Sequence, residues 1–135
     1  MKARDSIRFR GKMDSRNEWV YGSYVRGGVL DYIYNSFDKM IHVIPETVGQ
    51  YIGRSDKNNK DVYVGDFITA YDGRVRGPVV FDRRGAMYGV PIGPNELYPF
   101  SASLLESKDI EVIGNIHDNP DLMATLTAEQ ASYFG

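Results

Sequence analysis

Short runs of valine, isoleucine, tyrosine and phenylalanine, separated by glycine, proline and polar residues, recur along the whole chain. In residues 110–116 and 29–34, apolar and polar side chains alternate, so that every second residue can face a core while its neighbours face water. This period of two is typical of strands. Strands are therefore predicted at residues 19–25, 29–34, 40–44, 48–52, 67–71, 79–81, 86–90 and 110–116.

Turn residues indicate how some of these strands connect. The pair Asp72-Gly73 supplies the positive φ angles of a tight hairpin, and Arg83-Arg84-Gly85 places a glycine where a three-residue loop needs one. Residues 67–71, 75–81 and 86–90 are accordingly predicted to form a meander.

A Gly-Asp pair enters a predicted strand in Tyr63-Val64-Gly65-Asp66, as it does in many SH3-like small barrels. The Asp66 carboxylate is expected to accept backbone N–H bonds that close this turn, because Asn, Asp and Gly in turns mostly serve the turn itself. The functional alternative would make Asp66 an exposed acid.

Helix is predicted only near the C-terminus. Asn119-Pro120-Asp121 offers an N-cap, a proline at the first helical position and an acid in the first turn, and Thr127 and Gln130 have the spacing of a capping box. Residues 101–107 are a weaker candidate. The whole pattern predicts a mainly β chain of several short coiled antiparallel sheets with an SH3-like barrel portion and short helical turns near the C-terminus, in one domain over residues 1–135.

Cysteine is absent, which excludes disulfides, thiolate zinc sites and cysteine nucleophiles and favours a reducing compartment. No stretch approaches the ~20 apolar residues that a membrane-spanning helix needs, and the N-terminal residues lack the apolar run of a signal peptide. The expected location is therefore the cytoplasm, without a membrane partner.

Charge is distributed unevenly along the chain. Residues 1–26 hold seven basic against three acidic side chains, a local charge of +4, whereas residues 100–135 hold one basic against six acidic, a local charge of -5. This asymmetry favours pairing of the two ends within one chain or between two subunits, or the steering of a polyanion to one face.

Several ordered motifs resemble those of the YopX family of bacteriophage and prophage proteins. The motifs are Phe9-Arg10-Gly11-Lys12, Trp19-Val20-Tyr21-Gly22, Glu46-Thr47-Val48-Gly49-Gln50-Tyr51-Ile52-Gly53, Asp56-Lys57-Asn58, Tyr63-Val64-Gly65-Asp66, Glu111-Val112-Ile113-Gly114-Asn115-Ile116 and Asn119-Pro120-Asp121-Leu122. The resemblance implies a phage or prophage origin and a complex, mainly β fold of several coiled sheets. It implies no established activity and supplies no catalytic residues.

Catalytic, metal and cofactor sites are not predicted. The doublet His117-Asp118 is similar to that of metal-dependent phosphohydrolases, but such sites need further ligands, and His42 lies in a strand-like run. We expect His117 and Asp118 to cap the turn before Pro120. There is no serine elbow and no glycine motif for a phosphate, and the acids Asp109 and Glu111 are expected to be solvated surface.

A basic, aromatic segment near the N-terminus is the strongest candidate for a binding face. Rings that stack on bases and cations that meet phosphates are what an oligonucleotide-binding face needs. The candidate residues are Arg8, Arg10, Lys12, Arg16, Tyr21 and Tyr24. The alternative is an ordinary strand with rings inward and charges outward, in which Trp19 is largely buried.

An isoelectric point near 5.6 is far from that of a typical nucleic-acid-binding domain, which favours the structural alternative for this segment. With ten tyrosines, the chain has more amphipathic rings than a small core requires, and such rings are favoured at interfaces. We therefore expect a non-enzymatic accessory protein without a cofactor, which forms homo-oligomers and contacts a phage or host protein. A module that binds single-stranded DNA or RNA is the alternative, and an enzyme ranks third.

Overall fold

A computed structural model describes residues 7–35, 39–101 and 104–135. Of these residues, 48% lie in strands and 15% in helices, which confirms the prediction of a mainly β chain with little helix. The chain divides into two compact units, residues 1–53 and 54–135.

The first unit is an antiparallel sheet with the strand order β4-β3-β2-β1-β5. A single turn of 3-10 helix, Pro45–Thr47, connects β4 to β5, and β5 runs on into the second unit. The strands are β1 (Phe9–Lys12), β2 (Trp19–Arg26), β3 (Asp31–Tyr34), β4 (Met40–Val43) and β5 (Gly49–Ser55).

One face of this sheet is its apolar core. Ile33 of β3 and Val43 of β4 have no solvent exposure. The rings of Phe9 and Tyr24 pack beside them with centroids 5.5 Å apart. Strand β2 crosses β3 so closely that a Cβ on Gly22 would overlap the carbonyl oxygen of Tyr34, which explains a glycine inside this strand.

The second unit contains two three-stranded antiparallel sheets, with the orders β12-β7-β8 and β11-β10-β9. Strand β6 follows β5 across a turn closed by the Asp56 N–H, which donates to the Lys60 carbonyl. The strands are β6 (Asp61–Tyr63), β7 (Asp66–Ala70), β8 (Val75–Pro78), β9 (Val80–Asp82), β10 (Met87–Gly93), β11 (Glu96–Pro99) and β12 (Ile110–Asn115).

The predicted meander is wrong in one respect, because residues 75–81 are not one strand. Strand β8 pairs with β7, but β9 pairs with β10 in the other sheet. Val79 lies between them, and its N–H still donates to the Asp66 carbonyl at 2.7 Å. Pro78 has no N–H to continue the ladder, so the chain leaves the first sheet there.

Asp72 and Gly73 have the predicted positive φ angles, +56° and +85°, but the hairpin is less tight than predicted, because its loop spans residues 71–74 and Tyr71 also has a positive φ of +53°. The loop between β9 and β10 differs from its prediction. It spans four residues, and its left-handed residue is Ala86, with φ +51°, not Gly85. The Asp82 carboxylate accepts the Arg84 N–H at 3.2 Å, and this side-chain turn places the left-handed residue one position later.

Apart from the 3-10 turn at Pro45–Thr47, which was not predicted, the described helices lie near the C-terminus, as predicted. Thr127 and Gln130 form both bonds of the capping box at the start of helix α1 (Ala128–Ala131). Three short 3-10 helices accompany α1, namely Ser107–Asp109, Pro120–Thr125 and Ser132–Phe134. At the weaker helix candidate, residues 101–107, the structure shows only a 3-10 turn that begins at Ser107. Residues 102–103 of this candidate lie outside the described part of the chain.

No closed barrel is found among the described residues, so the SH3-like barrel portion stays a prediction. The Gly-Asp turn that suggested it has the expected structural role. Asp66 is almost fully buried, and its carboxylate accepts the Tyr63 N–H at 2.8 Å. Gly65 before it has φ +98°, a conformation that favours glycine.

Candidate functional site

The register of β1 against β2 brings most of the predicted binding residues to one face of the first unit. Arg10 pairs with Tyr21 and Lys12 pairs with Trp19 across the two strands. Because alternate residues of a strand share a face, these four side chains lie on the side opposite the apolar core. We call this side the aromatic face.

The cations on the aromatic face are packed on rings. The guanidinium carbon of Arg10 lies 4.4 Å from the ring centre of Trp19, and the Lys12 Nζ lies 5.6 Å from it. Arg8 stacks in the same way on Tyr51, at 3.8 Å. Such contacts stabilise a cation by the negative face of the ring and retain the apolar stem beneath it.

Burial on this face reverses the expected arrangement of rings inward and charges outward. Arg10 is 4% exposed and Lys12 is 6% exposed, whereas Tyr21 is 50% exposed and Trp19 is only partly buried. Trp19, which was expected to be largely buried, has intermediate exposure, and its indole ring contacts both cations. Contact with the indole ring partly replaces the water that the two cations lose.

Two of the predicted binding residues lie elsewhere. Arg16 is exposed in the loop between β1 and β2. Tyr24 is on the opposite face, against Phe9, and its hydroxyl donates to the Asp31 carboxylate at 2.6 Å. The pKa of Tyr24 is raised, mainly by this hydrogen bond and to a smaller extent by burial.

Exposed apolar side chains that the sequence did not single out complete the aromatic face. Ser23 pairs with Tyr34 of β3, which in turn pairs with Met40 of β4. Val25 lies two residues beyond Ser23 on the same side of β2. We define the apolar patch as these four residues, with their exposed fractions: Tyr21 (50%), Val25 (37%), Tyr34 (40%) and Met40 (50%).

The end of β4 is hydrogen-bonded and does not present a free sheet edge. The Asp14 N–H donates to the His42 carbonyl at 3.2 Å, and the Ile44 N–H donates to the Lys12 carbonyl at 2.9 Å. Met13 and Val43 form an antiparallel bridge between these two bonds. Addition of a partner strand at this end of β4 is therefore blocked.

The sequence model of the family described as YopX protein matches residues 8–124, which is most of the chain. The chain belongs to the YopX family. The matched region contains every strand from β1 to β12 and ends before the capping box of α1. No curated protein matches the sequence. No helix in the described ranges is long and apolar enough to cross a membrane.

The two histidines of this YopX-family chain lie in different local settings. His42 Nδ1 lies 3.6 Å from the Asp14 carboxylate, and its ring packs on Tyr32. In the turn before Pro120, the Asn115 side chain accepts the N–H groups of His117 and Asp118. Asn115 thus organises the turn that His117 and Asp118 were expected to cap. Among the residues that the structure describes, no group of three potential metal-ligating side chains occurs.

Asp56, in a motif of the YopX resemblance, is a buried carboxylate used by the backbone. Its Oδ1 accepts the N–H groups of Asn58 and Lys60 at 2.9 Å each, and its Oδ2 accepts the Val112 N–H at 3.0 Å. Burial would raise the pKa of Asp56, but these bonds and the charge of Lys60 outweigh it and lower the pKa. Asp56 thereby fastens the β5–β6 turn to β12.

The acids Asp109 and Glu111 line one cavity of about 310 Å³ in the second unit. Lys57 Nζ lies 3.7 Å from the Glu111 carboxylate. The Tyr71 hydroxyl donates to Asp109 at 3.3 Å, and its pKa is raised by burial first and by the Asp109 charge second. The two acids are thus partnered by a cation and a hydroxyl.

Proposed function

We propose that this YopX-family chain is a phage-encoded, non-enzymatic accessory protein of the host cytoplasm that works through protein contacts and forms a homo-oligomer. The observation that supports it best is the composition of the aromatic face. Its apolar side chains are exposed, while the cations beside them are buried.

The apolar patch has the chemistry of a protein interface. Tyrosine and methionine are enriched at interface cores, where charged side chains are depleted. The four patch residues carry no charge, so a second copy of the same surface would meet no unpaired ion. An uncharged apolar surface can pair with its own copy about a two-fold axis, which favours a second copy of this chain as its first partner.

Burial of Arg10 and Lys12 also changes the balance between the two ways in which copies of this chain can associate. Two of the seven N-terminal cations, Arg10 and Lys12, are only 4% and 6% exposed and so cannot contribute to pairing between the basic end of one copy and the acidic end of another. All four side chains of the apolar patch are exposed and remain available for contact with a second copy. We therefore propose that apolar contact drives association, with charge as a secondary contribution.

The same burial weakens the alternative of a module for single-stranded nucleic acid. A phosphate backbone needs accessible cations, and of the predicted binding residues only Arg16 is an exposed cation. Labelled single-stranded DNA at about 0.1 M salt should bind no tighter than the ~10⁻⁴ to 10⁻⁶ M of non-specific association. Submicromolar binding with a steep salt dependence, lost in Arg16→Glu, would replace our proposal with the nucleic-acid alternative.

Sedimentation velocity on matched methionine variants tests the proposed self-association. Met40 lies in the patch and is 50% exposed, whereas Met87 lies in β10 of the second unit and is 41% exposed. We expect a dimer for the wild type and for Met87→Lys, and a monomer for Met40→Lys, with little change between low and high salt. A monomeric wild type at all concentrations, or equal weakening by both substitutions, would contradict the proposal.

A further inference from the structure

The second unit contains a cavity of about 300 Å³ at the edge strand β8. Two arginines and two threonines are among its lining residues, and no acidic residue is. The lining residues are Gly73, Arg74, Val75, Arg76, Ile92, Thr125, Thr127 and Gln130. The cavity adjoins the one that Asp109 and Glu111 line, because Gly73 lies in the wall of both.

Arg76 is held in place at this cavity. Its guanidinium carbon lies 4.9 Å from the ring centre of Phe67, and its Nη1 donates to the Thr125 hydroxyl oxygen at 2.6 Å. Thr125 in turn donates to the Leu122 carbonyl at 2.6 Å. A guanidinium fixed by a ring and a hydroxyl is pre-organised, and its remaining N–H groups can bind an oxyanion with two parallel bonds.

Arg74 adds a second cation to the same lining. Its Nε donates to the Tyr71 carbonyl at 3.3 Å, which leaves its terminal nitrogens for other acceptors. Within the described ranges, no ion pair joins Arg74 or Arg76 to a carboxylate, whereas Arg84 lies 3.6 Å from Asp82. Two guanidiniums without a carboxylate partner form a local positive potential that favours an anion.

The C-terminal turn that borders the cavity is fixed to the sheet by Gln130. The Gln130 Nε2 donates to the carbonyls of Arg76 and Pro91 at 2.7 and 3.0 Å. Its Oε1 accepts the Thr127 N–H at 3.1 Å. The cavity is therefore formed before any ligand arrives, which lowers the ordering cost of binding.

We infer that this cavity binds a small phosphate monoester, with the phosphate between Arg74 and Arg76. A dianion matches two guanidiniums better than a carboxylate does, because each cation then has one negative charge to compensate. Val75 and Ile92 supply an apolar wall for the organic group. The volume is at the lower end of small-molecule sites, which favours a compact ligand.

Isothermal titration of the full chain with phenyl phosphate and with inorganic phosphate tests this site, with benzoate and sodium chloride as controls at equal ionic strength. We expect saturable binding of one phenyl phosphate per chain, weaker binding of inorganic phosphate, and little heat from benzoate or chloride. Equal heats from phenyl phosphate and benzoate would overturn the inference.

Arginine variants locate the site. Arg74→Gln and Arg76→Lys should each weaken phenyl phosphate binding by about tenfold or more, the first through loss of a charge and the second through loss of the bidentate geometry. Arg83→Gln is the matched control, since Arg83 is an exposed arginine outside the cavity. Unchanged affinity in both cavity variants, with native circular dichroism, would remove the site from Arg74 and Arg76.

The source of the phosphate is decided by two further probes. A phosphoserine peptide and a single-stranded DNA oligomer carry the same chemical group on macromolecules. We expect each to bind more weakly than phenyl phosphate, because neither carries a phenyl group on its phosphate to pack against Val75 and Ile92. Tighter binding of either one, lost in Arg74→Gln, would overturn the small-molecule assignment in favour of that macromolecule.

Discussion

The guanidinium of Arg10 lies over the indole of Trp19, 4.4 Å from the ring centre, and Arg10 is the less exposed of the two. A sheet face whose cations are covered and whose rings are partly open differs in function from the reverse arrangement. It presents exposed apolar side chains and few accessible cations, which is why we propose contacts with proteins and not with a phosphate backbone.

Removal of Arg10 should therefore destabilise the fold. Arg10→Ala removes a cation–π contact and a buried stem, and we expect the free energy of unfolding to fall by about 2 kcal/mol. Urea denaturation followed by Trp19 fluorescence measures both the stability and the changed environment of the indole. The control is Arg16→Ala, an exposed arginine in the loop after β1, which should stay within about 0.5 kcal/mol of the wild type. Equal effects of the two substitutions would contradict the role of the Arg10–Trp19 contact.

Asp56 should make stability depend on pH in the acid range. Its folded-state pKa lies below the ordinary value of 3.8, so the stabilisation is fully present above that value and is lost as pH falls through the folded-state pKa. Asp56→Asn should lower the free energy of unfolding by about 1–3 kcal/mol at pH 7, with a difference that shrinks toward the acid end.

Thermal or urea unfolding at a series of pH values measures this difference for Asp56→Asn. Asp121→Asn is the control, because Asp121 is exposed, and it should change little at any pH. A difference between Asp56→Asn and the wild type that is constant across the acid range would show that the carboxylate charge is not what holds the turn to β12.

Ala86 offers a stabilising substitution. Ala86 has a φ of +51°, a left-handed conformation that costs energy for a residue with a Cβ but not for glycine. Ala86→Gly should therefore raise the free energy of unfolding by up to ~1 kcal/mol. Ala128→Gly, at the start of α1, is the matched control and should lower it by a similar amount. The urea midpoints of the two variants show whether each change in the free energy of unfolding is positive or negative. A loss of stability in Ala86→Gly would mean that residue 86 does not adopt this left-handed conformation.

The sequence by itself determined the features that depend on neighbours along the chain. The alternation of 110–116 gave β12, and the capping box of Thr127 and Gln130 gave the start of α1, because pleat and cap geometry are local. The short strands β1, β6 and β11 were missed. In β1, Arg10 and Lys12 alternate with Phe9 and Gly11. This pattern does not show whether the side of the strand that carries the two cations is exposed or buried.

Tertiary structure alone decided what each strand meets. Pro78 is a local reason for the first ladder to end, but no nearby residue indicates that the chain then joins another sheet, since β9 is defined by its pairing with β10. The burial of Arg10 and the exposure of Met40 follow from long-range packing in the same way. The sequence placed Arg10 and Tyr21 in one candidate binding face. Only the fold shows that Arg10 is buried and Tyr21 is exposed, because burial depends on groups that are distant along the chain.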